Sequence, residues 1–199
     1  GKTTAEKFVE RAFDLNGAGI ELVICLDTTG SMQPTIDAAR AGLGDLVALL
    51  RGIAPNFRLG LVHYKDLEDM GGGAQILAPL NADVGAVQSR LDKLQAEGGG
   101  DFPEAVEKGM EVALGSKVGW SPATNKILVV IGDAPPHTEH VAKAKELAKN
   151  AHTKPFGRAP DVSTGKEKPR VRAFVVSTIG VGVSSISPDT EKAFQEIAE

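Results

Sequence analysis

Cysteine is almost missing from this chain: Cys25 is the only one in 199 residues. No intrachain disulfide can form, so a packed core must hold the fold, and Cys25, set in an apolar run, reads as a small buried hydrophobe. Aromatics are scarce too, at 5% with one Trp and one Tyr, which leaves the core to Val, Ile, Leu and Ala. Positive charge is not in surplus. The 22 Lys and Arg stand against 26 Asp and Glu, a net charge of -4, and this argues against a protein that works by gripping nucleic-acid phosphates. No apolar run approaches the roughly 20 residues of a membrane span, so no membrane insertion is expected, and the basic start and apolar middle of an export signal are missing. Internal repeats are not evident. Gly1-Lys2-Thr3-Thr4 resembles the end of a phosphate-binding loop but lacks the preceding strand and glycine, so no nucleotide site is expected there.

What the chain has is a globular balance of 42% apolar and 24% charged residues, at a length suited to one domain over 1–199. Four segments are continuous and rich in β-branched residues, as strands buried on both faces are. They are Glu21 to Asp27, Phe57 to Tyr64, Lys126 to Ile131 and Val171 to Ile179. Helical spacing fills the intervals at Pro34 to Arg51, Asp83 to Gln95, Pro103 to Leu114 and Thr138 to Ala151, with Pro34 and Pro103 in first turns. A last helix begins after Ser187-Pro188 and is still running at Glu199, which points to a trimmed C-terminus. Ala74 to Leu77 follows the second strand so closely that an antiparallel edge pairing suits it. The fold class expected is therefore α/β: a doubly wound, mostly parallel sheet with one antiparallel edge strand and helices on both faces, its core running over 18–199. His152 to Arg170, with three prolines and several basic residues, reads as a long surface excursion.

In such sheets ligands bind beyond the carboxyl ends of the strands. There the sequence places Asp27, Thr29 and Ser31 after the first strand, Asp66 after the second, and Gly132-Asp133 after Lys126 to Ile131. Gly98-Gly99-Gly100-Asp101 forms a further acidic loop. Any one of these could cap a helix. Together they would repel one another unless something positive sits among them, and Lys65 is the only cation in these short loops. A hard divalent cation accounts for the set, since Mg2+ takes oxygen ligands and Asp-x-Thr-x-Ser can turn alternate oxygens the same way.

These residues carry a resemblance. "DTTGSM" at 27–32 resembles the first motif of the von Willebrand factor type A domain, whose metal-ion-dependent adhesion site has the form Asp-x-Ser/Thr-x-Ser. "GGGDFPEAV" at 98–106 resembles that family's second metal-site loop, and "ILVVIGDAPPH" at 127–137 its last. The resemblance implies a Rossmann-like fold and Mg2+ (or Mn2+ or Ca2+) held by Asp27, Thr29, Ser31, Asp101 and Asp133. Around them Asp66, Glu104, Thr28 and Gly30 would support the ligands or meet what they bind. Asp101 departs from the best-known members, which have threonine there, though bacterial and extracellular members share Gly-Gly-Asp-x-Pro-Glu. Three carboxylates around one Mg2+ should weaken its pull on an acidic ligand.

The function implied is a binding module, not an enzyme: the metal keeps one position open for an Asp or Glu carboxylate of a protein partner. Loops 65–73 and 134–140 would set specificity, the setting would be extracytoplasmic, and other domains of a longer chain could be partners. Two alternatives compete. One is an Mg2+-dependent phosphatase or phosphotransferase using Asp27 as nucleophile, disfavoured because Thr29 stands where a general-acid Asp is needed. The other is a structural domain with a vestigial site. His137 and His140 have spacing open to zinc but no third ligand nearby, and His63 reads as a core or edge histidine. Glu104 is expected either to cap its own helix or to orient the site.

Overall fold

The computed structural model describes residues 3–100, 102–154, 156, 173–182 and 186–198. Helix α1 (Thr4–Ala18) opens the chain, followed by β1 (Ile20–Asp27), α2 (Gln33–Ile53), β2 (Phe57–Tyr64), β3 (Ala74–Asn81), α3 (Val84–Leu91), α4 (Val106–Leu114), β4 (Asn125–Gly132), α5 (Val141–Thr153), β5 (Phe174–Gly180) and α6 (Pro188–Ala198). The strands form one sheet in the order β3-β2-β1-β4-β5. Only β3 runs antiparallel, against β2, so the expected fold class is the one observed.

The central position of β1 follows from its composition, since "IELVICLD" is buried along nearly its whole length. Its side chains alternate between two cores. Leu22 and Leu26 meet Met32, Ile36, Leu43 and Val47 of the segment leading into and along α2, and Val87 and Leu91 of α3. Val23 and Cys25 meet Val106 and Met110 of α4, Ala144 and Ala148 of α5, and Phe194 of α6. Each fully buried Val, Leu or Ile in these layers contributes about 2 kcal/mol. Asp27 belongs by parity to the second series, and its register partner on β2 is Tyr64.

Several boundaries differ from the sequence expectations, each for a physical reason. Helix α4 starts at Val106, so Pro103 is not in its first turn and Glu104 is not part of the helix. Glu104 is instead held as an isolated bridge to Pro136, its N–H donating to the Pro135 carbonyl at 3.0 Å. Helix α3 ends at Leu91, and its start is capped by Asp83, whose carboxylate accepts from the Ala86 N–H. Strand β3 runs on through Pro79 to Asn81, which an edge strand tolerates because one row of its N–H groups faces away from the sheet. His152 and Thr153 complete α5; of the expected surface excursion, residues 155 and 157–170 lie outside the described residues, as do Val171 and Arg172 of the expected last strand. Helix α1 was not expected. It begins with a capping box, Glu6 N–H to Thr3 Oγ1 and Thr3 N–H back to Glu6 Oε2, while Phe8 and Phe13 stay 74% and 76% exposed.

Candidate metal centre

Asp27 ends the central strand and is completely buried. Its Oδ1 accepts two hydrogen bonds, from the Thr29 N–H at 2.9 Å and the Thr29 hydroxyl at 2.7 Å. Its Oδ2, equally buried, has no hydrogen-bond partner. Burial pushes the carboxyl up to about 7; the two Thr29 bonds pull it down, the nearby Asp133 charge pushes it up and Lys65 pulls it down. Buried carboxylate oxygens without donors are costly, and among the described residues no donor reaches Oδ2.

The chain leaves Asp27 extended through Thr29 and turns at Gly30–Met32 into α2, with Pro34 in the helix's first two positions. Buried Met32 anchors this turn, which leaves Ser31 exposed. Thr28 does not join the carboxylates. Its N–H and hydroxyl both donate to the Tyr64 carbonyl, at 2.9 and 3.2 Å, and its Oγ1 lies 3.3 Å from His63 Nδ1. Thr28 thus clamps the loop to the end of β2.

A second loop is laced against the first. Glu97 N–H donates to the Thr28 carbonyl at 3.1 Å, and Gly30 N–H donates to the Gly98 carbonyl at 3.2 Å. Gly99 N–H donates to Asp69 Oδ2 at 3.0 Å. Gly99 has φ +88°, and a Cβ on it would sit 3.0 Å from Thr29 Cβ and 3.2 Å from Glu104 Oε1. Only glycine fits this left-handed, crowded position. Glu104 therefore reaches the loop beside Thr29 and does not cap α4, whose N-cap is Ala105. Asp101 lies outside the described residues.

The third loop follows β4. Leu26 pairs with Ile131, so Asp133 emerges beside Asp27. Gly132 is required by the packing: a Cβ there would collide with the Tyr64 hydroxyl and lie 3.3 Å from the Phe194 ring. Tyr64 Oη donates to the Ile131 carbonyl at 3.3 Å, and the Asp133 carbonyl accepts from Thr190 Oγ1 at 3.1 Å. Ser31 and Asp133 line one open cleft of about 480 Å³, together with Met32, Thr35 and Gly180.

The structure thus brings together Asp27, Thr29, Ser31 and Asp133, with Gly30 and Glu104 reaching them through the glycine loop. Asp66 turns its Oδ1 to His137, 3.1 Å from Nε2, and its Oδ2 toward the glycine loop, where a Cβ on Gly100 would lie 3.1 Å from it. The rings of His137 and His140 are 6.2 Å apart. Among the described residues no group of three or more His, Cys, Asp or Glu is placed to hold a metal ion, which leaves the zinc spacing without a third ligand; the oxygens around Asp27 include the hydroxyls of Thr29 and Ser31. Asp69 and Lys65 do more for the site than their place in the sequence announces. Asp69 pins the glycine loop, and Lys65, buried at 7% exposure, donates from Nζ to the Glu97 carbonyl at 2.6 Å. A lysine directly after a buried strand was the only signal.

A family model described as von Willebrand factor type A domain matches residues 22–135, more than half of the chain. No curated protein matches the chain in sequence. Among solved structures, a conserved hypothetical protein BatB from Bacteroides thetaiotaomicron superposes with a TM-score of 0.59 at 19% identity, covering 90% of this chain and 85% of that one. An aerotolerance-related membrane protein from Bacteroides fragilis NCTC 9343, crystallised with multiple mutations to serines, superposes at 0.57 and 19% identity, covering 90% and 87%. At such identity the likeness speaks for the fold. Among the described residues no helix is long and apolar enough to cross a membrane.

Proposed function

This chain belongs to the von Willebrand factor type A domain family, and from that premise we propose that it is a divalent-metal-dependent protein-binding module. Mg2+, Mn2+ or Ca2+ would be held by Asp27, Thr29, Ser31 and Asp133, with Asp101 as a further candidate from the sequence. The observation that carries the reading is Asp27 Oδ2: a buried carboxylate oxygen with no hydrogen-bond partner, next to a second carboxylate at Asp133. Such a pair suits a cation.

The donor set fits the ion. Thr29 donates its proton to Asp27, which orients its hydroxyl and leaves the oxygen lone pairs for a cation. Ser31 is exposed on the cleft it shares with Asp133, so it can meet both the ion and what approaches from outside. When bound, the ion would supply a Lewis-acidic position able to accept a carboxylate from a partner protein. The chain's own part is to orient the oxygens: Thr28 clamps the first loop, Gly99 lets the second approach, and Gly132 lets the third pass Tyr64.

Titration calorimetry with Mg2+, Mn2+ and Ca2+ tests the proposal. We expect one saturable site, lost in Asp133→Ala and weakened in Ser31→Ala, with a rise in melting temperature that tracks the heat. Absence of heat with all three ions would overturn it, and turnover of a generic phosphate ester abolished by Asp27→Asn would point to phosphotransfer instead.

A further inference from the structure

A second cleft, of about 490 Å³, opens at the end of β2 on the side facing α3, away from Ser31 and Asp133. Its charged lining is Lys65, Arg90, Lys93 and Glu97, with His63 beside them. Three cations against one carboxylate is a local surplus on a chain whose net charge is -4. Among the described residues Arg90 and Lys93 are exposed and have no ion-pair partner. The one acid is poorly placed to neutralise them: Glu97 is 80% exposed in its side chain and reaches Lys65 Nζ only at 3.7 Å. Its carbonyl takes the bond from Lys65 at 2.6 Å, which fixes the ammonium and leaves two of its three protons for another acceptor.

We infer that this cleft binds a small polyvalent anion of the phosphate class, seated between Lys65, Arg90 and Lys93. A guanidinium offers a planar fork to phosphate oxygens and the two ammonium groups act as point charges, a combination suited to phosphate. Lys65 is the fixed member, buried and already held to backbone. His63 borders the seat: burial and the Lys65 charge keep its ring below the ordinary histidine range, so it adds no positive charge near pH 7. The inference stands apart from the metal proposal, because neither Asp27 nor Asp133 lines this cleft.

The test is calorimetry with inorganic pyrophosphate in EDTA, at ionic strength held constant with NaCl, so that no metal takes part. The expected result is saturable binding that weakens about tenfold in Arg90→Ala and in Lys93→Ala, the loss of one charge-assisted hydrogen bond. Glu97→Gln should tighten binding several-fold, a change of opposite sign that a merely structural role would not give. The His63 ring resonances should shift over the same titration. Heats that do not saturate, affinities unchanged in both cation variants, or weaker binding in Glu97→Gln would each overturn the assignment.

Discussion

Replacing Asp27 by Asn separates the electrostatic cost of this carboxylate from its geometry. Asn keeps an oxygen to accept both Thr29 bonds, and any cost of placing an amide where Oδ2 lies does not vary with pH. The charge does. Burial lifts the Asp27 carboxyl from 3.8 to about 7, and one unit corresponds to about 1.4 kcal/mol. Because the folded-state value lies above the unfolded one, this group's contribution to stability is fully present below pH 3.8 and is lost as the pH rises through about 7. Without metal, the stability of Asp27→Asn relative to the parent should therefore increase by about 3 kcal/mol between about pH 5 and about pH 8. That is a large share of a typical 5–15 kcal/mol total. Urea unfolding followed by circular dichroism in EDTA, at closely spaced pH values, measures the gap directly. A gap that is flat with pH, or that narrows as pH rises, would refute the argument that Asp27 is a desolvated, uncompensated acid.

Three further outcomes follow from the packing. Gly99→Ala should cost about 1–2 kcal/mol, since a Cβ at φ +88° meets Thr29 and Glu104, and should also remove the metal-dependent rise in melting temperature seen by scanning calorimetry. Gly132→Ala should destabilise by about 1–3 kcal/mol through the clash with Tyr64, read as a lower urea midpoint with unchanged slope. Glu21→Leu should cost about 3–5 kcal/mol. Arg58 loses its counter-ion while keeping its bonds to the Ser121 hydroxyl and the Leu80 and Gly119 carbonyls, and the Ser121 N–H, Ser121 hydroxyl and Thr124 hydroxyl lose the carboxylate they now share; thermal unfolding would show it, and a shift under one degree would contradict it.

Where the sequence was legible, a single local constraint set the outcome. Strand β2 runs Phe57–Tyr64 as the apolar pattern predicted, because a strand buried on both faces must be continuous. Asp27 and Thr29 were readable because they sit two residues apart at the end of such a strand. Helix α4 was misplaced because its start depends on Glu104 bridging Pro136, a pairing over thirty residues away that no window of sequence displays. Helix α1 escaped notice for the opposite reason: its capping box is plain, but Phe8 and Phe13 face solvent and so gave no core-facing pattern. Asp69, which holds Gly99, and Lys65, which holds Glu97, act across similarly long separations. Asp66 likewise meets His137, seventy-one residues further along the chain, and lies beside Gly100 of the glycine loop.

The lacing of the 97–99 loop against Thr28 and Gly30, with Asp133 arriving from β4, bears on the order of folding. The segments that surround Asp27 lie from about forty to about one hundred residues from it along the chain, and closing such separations is what slows a folding reaction. The site cannot exist until β1, β2 and β4 are side by side. A ligand that occupies it should then leave the refolding rate nearly untouched and lengthen the lifetime of the folded protein, because it finds its seat only after the rate-limiting step has passed.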